Sequence, residues 1–177
     1  MGRRNTISPP AQSPVRWQQY RTLMIFKRLF RKKSPIEPIF PVESYSLLQL
    51  KVGGDIGFAT INTGYHNYQN KKFYPWYAAI LIEIGEQNEN GHPTEEEAAL
   101  LNSLEEQITA FLRKSQVVHQ VGRVTRKGKR DIIYYIDKPN FNNTVLKEFF
   151  DAINLIRPLN LTVEKDSTWT NVAAFIK

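Results

Sequence analysis

From Tyr77 to Asp166 the chain runs through strand, helix, strand, strand, helix and strand patterns, and that order constrains the fold more than any other feature. Trp76–Ile84 is a nearly unbroken apolar run, as expected of a strand buried on both faces. Thr94 then opens an amphipathic helix. Its hydroxyl suits the N-cap, Glu97 three residues on completes a capping box, and Glu95 and Glu96 place negative charge at the positive end of the helix dipole. Leu100, Leu101, Leu104, Ile108, Phe111 and Leu112 form the apolar stripe, which predicts a helix ending near Lys114. Val117–Thr125 and Asp131–Ile136 read as strands joined across Lys127-Gly128, a hairpin signal. Phe141–Ile156 is a second amphipathic helix with Val145, Phe149, Ile153 and Ile156 turned inward, ended by Pro158. Leu161–Lys165 is a short strand, and Trp169–Ile176 is expected to add a terminal one.

This pattern predicts an α+β fold, a ferredoxin-like β-α-β-β-α-β sandwich. In such a sheet the first and third strands of the unit are central. The corresponding segments, Ala78–Ile84 and Asp131–Ile136, are the most continuously apolar in the chain. Two further strands precede the unit, Tyr45–Val52 and Ile56–Asn62, around the turn residues Gly53-Gly54-Asp55. The expected organisation is a single domain over 42–177 behind a basic N-terminal tail and Pro-rich linker over 1–41. Residues 1–16, rich in Ser, Pro, Arg and Gln, are expected to be disordered. Met24 offers an alternative natural start, in which case residues 1–23 would lie outside the protein.

The net charge of +7 suggests a polyanion binder until its distribution is read. Residues 1–33 hold nine basic side chains and no acidic one. Removing those nine from the 24 Lys and Arg leaves 15 against 17 Asp and Glu, so the remainder carries −2. The basicity belongs to the tail. There Leu23, Phe26, Leu29 and Phe30 fall on one helical face and Arg21, Lys27, Arg28 and Lys32 mostly on the other, a pattern suited to an anionic membrane surface or a partner groove. No apolar run nears the roughly 18 residues that span a bilayer. Cysteine is absent, which excludes disulfides, thiolate metal sites and a cysteine nucleophile and fits a reducing compartment; the expected location is cytoplasmic.

Catalytic signals are missing. His66, His92 and His119 are the only histidines and no two have metal-ligand spacing. The acidic run Glu95-Glu96-Glu97 is explained by its place at a helix start. There is no nucleophile elbow and no phosphate-cradling glycine loop. The candidate macromolecule-binding surface is instead the second hairpin, where Arg123, Arg126, Lys127, Lys129 and Arg130 surround Gly128 and Tyr134 and Tyr135 follow. Basic and aromatic side chains on an antiparallel sheet suit RNA. Adjacent tyrosines point to opposite faces, so at most one, taken as Tyr135, would serve as a platform. The ordinary role for such charges is to keep an edge strand from pairing with other chains. Trp76 and Trp169 at the two ends of the unit are expected in the core.

Several of these motifs together resemble the bacterial domain-of-unknown-function family 695. The resemblance rests on Gly91-His92-Pro93-Thr94-Glu95-Glu96-Glu97 at the helix start, on Gly122-Arg123-Val124-Thr125, on Gly128-Lys129-Arg130 leading to Tyr134-Tyr135, and on Asp166 shortly before Trp169. It covers roughly residues 45–177. Val172 stands where the family tends to carry an aromatic. That family is similar in fold to the regulator of ribonuclease activity B, which acts by binding an endoribonuclease. The resemblance implies a non-catalytic, cofactor-free regulatory domain acting through protein contact. RNA binding through the basic hairpin and tail is the alternative, and an enzyme with a scattered site comes third. Fold alone does not decide among them.

Overall fold

The computed structural model describes residues 38–52, 54–153 and 157–176. Six strands form one antiparallel sheet: β1 (Tyr45–Val52), β2 (Asp55–Asn62), β3 (Trp76–Glu83), β4 (Val118–Arg126), β5 (Lys129–Ile136) and β6 (Leu159–Lys165). Helix α1 (Glu95–Leu112) joins β3 to β4, and α2 (Asn143–Ala152) lies between β5 and β6. The spatial order is β1-β2-β4-β5-β3-β6. Thus β3 and β5 pair with each other and each has a second neighbour, as their continuous apolarity requires.

Both faces of the central strands are covered, each by a different kind of layer. On one face Ile80, Ile82, Ile132, Tyr134 and Ile136 meet Leu101, Ile108 and Leu112 of α1, and Phe149 of α2 packs against the same cluster. The two helices touch through Phe111 and Phe149, stacked with ring centroids 4.1 Å apart. On the other face Ala59, Ile61, Val121, Ile133 and Tyr135 lie beneath Tyr65, Tyr74, Trp169, Val172 and Ile176, which come from the β2–β3 connection and the C-terminal segment.

The hairpin between β4 and β5 turns at Lys127 and Gly128, both at positive φ (51° and 68°), the two-residue geometry that matches strand twist. The pairing of β4 with β5 shifts between Gln120 and Gly122. A side chain at Gly122 would place its Cβ 2.4 Å from the Thr60 carbonyl oxygen, so glycine is what lets β2 approach β4 there.

Several sequence expectations are corrected. The segment after Trp169 forms a 3-10 turn, Thr170–Val172, rather than a strand. Asp166 captures the following backbone amides and turns the chain across the sheet. Trp169 is buried as expected, whereas Trp76 is half-buried. The capping box is half made: Thr94 Oγ1 accepts from the Glu97 amide at 3.3 Å, but the Glu97 carboxylate points away from the cap. It is buried instead against the Gly85 amide at 3.0 Å and the Arg157 guanidinium. Leu100 and Val145 lie outside the helix stripes and are exposed; Leu101 and Leu146 take the inward positions. The expected tail, the Met24 start and Ile156 lie outside the described residues.

Candidate functional site

The candidate hairpin is rich in cations, and their first task in the fold is to satisfy buried charge. Glu105, buried on α1, accepts from Arg123 at 3.2 Å and from Gln120, and lies 3.9 Å from Arg130. Asn102, one turn earlier, accepts from Arg123 at 3.0 Å and from Arg130 at 2.9 Å. Arg130 is itself buried. Desolvation, then the neighbouring Arg123, push its pKa down to about 10. These two arginines therefore bind the sheet to α1. Of the remaining three cations, Lys127 pairs with Asp55 of β2 at 2.6 Å, Arg126 is half-buried and Lys129 is exposed.

Neither tyrosine offers an open ring. Tyr134 faces the helices, its hydroxyl 2.8 Å from Thr109 Oγ1. Tyr135 faces the opposite core, where burial and then its hydrogen bond to Asp166 raise the phenol pKa. The two point to opposite faces as expected, but both are buried, so Tyr135 is no platform for a base. Nor is β4 an edge. It would end the sheet in the four-stranded unit, and here β2 covers it through the register Phe58↔Thr125 to Ile61↔Gly122.

His119, on β4, is enclosed by Phe40, Tyr65, Tyr68, Tyr74 and Trp169, with ring centroids 3.9–6.2 Å away. Its Nδ1 lies 3.1 Å from the Tyr65 hydroxyl, and its Nε2 has no hydrogen-bond partner among the described residues. Burial, with Arg113 nearby, lowers its pKa to about 4, so the ring is neutral at ordinary pH. A cavity of about 340 Å³, lined by Phe40, Pro41, Glu43, Tyr65, Arg113 and Gln120, opens beside this cage. No group of three or more His, Asp or Glu able to hold a metal occurs among the described residues. No helix among them is long and apolar enough to cross a membrane.

The surface that charge-based reading missed is apolar. On the helix side of the β1–β2 hairpin, Tyr45, Leu47, Ile56 and Phe58 are 54%, 69%, 47% and 36% exposed. They lie on one face because the register pairs Leu47 with Thr60, Gln49 with Phe58 and Lys51 with Ile56. None of the four joins the cluster packed by the helices, and His92, from the loop before α1, meets Phe58 with ring centroids 5.1 Å apart. The sequence carries a readable signal for this patch: β1 is apolar on both alternations, with Leu48 and Leu50 packing on the second core and Tyr45 and Leu47 left over. On its outer side β1 pairs with no described strand.

No curated protein and no solved structure matches the chain. Residues 44–176, which span all six strands, both helices and the C-terminal turn, match the family of unknown function DUF695, and the chain belongs to that family.

Proposed function

We propose that this is a ferredoxin-like module with an added N-terminal hairpin, acting without catalysis by binding another protein in the cytoplasm. The observation that carries the reading is the exposed row Tyr45, Leu47, Ile56 and Phe58 beside the uncovered edge of β1. Contiguous exposed apolar residues next to unpaired backbone amides are the chemistry of a protein interface. The hairpin cations favour the same reading over RNA, since Arg123 and Arg130 are engaged by Glu105 and Asn102 and Lys127 by Asp55. The similarity in fold that the family resemblance implies to the regulator of ribonuclease activity B supports the same reading, by analogy of fold alone.

The test is affinity purification of the tagged chain from its native cytoplasm, with and without nuclease, compared with Phe58→Asp. A protein partner that survives nuclease and is lost from folded Phe58→Asp is the expected result. Capture that vanishes with nuclease would move the function to nucleic acid.

A further inference from the structure

The two edges of the sheet are unlike. β6 follows Pro158 and turns Asn160, Thr162 and Glu164 to solvent, the usual defences of an edge strand. β1 has eight residues, no proline and no irregularity in its register with β2, and its exposed alternation begins with Tyr45 and Leu47.

The backbone of β1 fixes which residues offer hydrogen bonds outward. Ser44 turns inward: its carbonyl accepts from the Thr63 amide at 2.6 Å and its amide donates to Asn62 Oδ1 at 3.2 Å. Hydrogen-bonding direction alternates along an antiparallel strand. Tyr45, Leu47, Gln49 and Lys51 therefore direct their amide and carbonyl groups to the free edge.

The side chains along this edge are arranged about Leu47. Glu43 lies four residues before it and Lys51 four after, and both are exposed. An antiparallel partner centred on Leu47 would set Leu47 against its own copy, Tyr45 against Gln49, and Glu43 against Lys51 on both sides of a two-fold axis. The pairings within β1 use outward-directed backbone and bring apolar side chains together, and the third sets Glu43, just before the strand, across from the oppositely charged Lys51.

We propose that β1 pairs with β1 of a second copy of this chain in this register, joining two sheets edge to edge. The proposal rests on the protein-binding reading and names the partner for its edge. The axis lies perpendicular to the sheet, so both helix layers fall on the same side. Phe58 and Ile56, one strand in from the edge, stay uncovered by the pairing.

The full chain should sediment as a dimer at micromolar concentration. Because it contains no cysteine, Leu47→Cys gives a clean probe of the axis. Facing residues in a hydrogen-bonded antiparallel pair lie about 5.5 Å apart at Cα, within disulfide reach. Leu47→Cys should oxidise to a linked dimer, and Ile56→Cys should not. Glu43→Lys or Lys51→Glu alone places like charges across the pair and should raise the dimer Kd roughly tenfold. Mixing the two variants restores opposite charges and should restore association. A monomer, or a dimer indifferent to both charge changes and unlinked at Leu47→Cys, overturns the proposal. If such a chain still captured a protein through Phe58, the second copy would be excluded and the protein-binding reading would stand.

Discussion

Tyr135 and Trp169 stack on the side of the sheet away from the helices, with ring centroids 4.0 Å apart and planes 11° from parallel. The Tyr135 hydroxyl donates to Asp166 at 2.5 Å, and Asp166 also accepts from the amides of Thr170 and Asn171, each at 2.9 Å. Trp169 takes φ 60° and donates its indole N–H to the Tyr74 carbonyl at 3.0 Å. A non-glycine residue in that backbone region costs about 1 kcal/mol or more, offset here by the buried ring and two sets of hydrogen bonds. The arrangement fastens the C-terminal segment over the second core.

Trp169→Ala should therefore cost about 3–5 kcal/mol, the range for emptying a buried aromatic site, since Val172 and Ile176 are seated by the same turn. Tyr135→Phe keeps the stack and removes one hydrogen bond to a carboxylate, a loss of about 1.5–3 kcal/mol. Urea denaturation at neutral pH measures both, and the order of the two variants is the check. A Tyr135→Phe protein less stable than Trp169→Ala would place the anchor in the hydroxyl rather than the ring.

Stability should fall in mild acid through His119. Its folded pKa, about 4, lies below the ordinary 6.5 because burial disfavours the imidazolium. Between these values the unfolded chain binds a proton that the native chain refuses. The native state thus keeps its full stability above pH 6.5 and loses it as pH falls towards 4, by roughly 3 kcal/mol from this group. Denaturation followed across pH 4–7 should show this slope in the native sequence. His119→Gln, which retains a polar partner for Tyr65, should flatten it.

The fold was legible where one periodicity dominates. Apolar residues on both alternations of Trp76–Glu83 place β3 inside the sheet, and the three-and-four spacing of Leu100, Leu101, Leu104, Ile108, Phe111 and Leu112 places α1, although Leu100 proves exposed. Local signals failed where a distant residue competes. Glu97 has the spacing of a capping residue, yet Arg157, sixty positions away, supplies a stronger partner. Arg130 has the composition of a hairpin tip, yet Asn102 and Glu105 of α1 draw it inward. The exposed residues of the β1–β2 hairpin carry no charge pattern, and their one sequence signal is the surplus apolarity of β1.

Gly122→Ala should destabilise by about 1–3 kcal/mol, the cost of overpacking a closed contact. The added Cβ would lie 2.4 Å from the Thr60 carbonyl oxygen and 2.8 Å from Ile61 Cδ1, and the first of these is backbone that moves only if β2 moves. Pairing of β2 with β4 should weaken more than pairing of β4 with β5. Amide hydrogen exchange would show faster exchange along β1 and β2 than along β5. Equal exchange across the sheet would count against glycine as the reason for the close approach.

The cations of the second hairpin separate into structural and dispensable by what each one meets. Glu105 is the shared acceptor for Arg123 and Arg130 and has only a tenth of its side-chain surface exposed. Glu105→Ala would leave the buried Arg130 without its counter-charge, a loss of about 3–5 kcal/mol for a broken buried pair. Arg130→Glu should be at least as damaging, since it sets two carboxylates together in the same enclosed space. Lys129→Glu, on an exposed side chain, should change stability by less than about 0.5 kcal/mol. Thermal denaturation of the three variants ranks them. A stable Arg130→Glu protein would show that the guanidinium is free to leave α1, and would return the hairpin to consideration as a surface for polyanions.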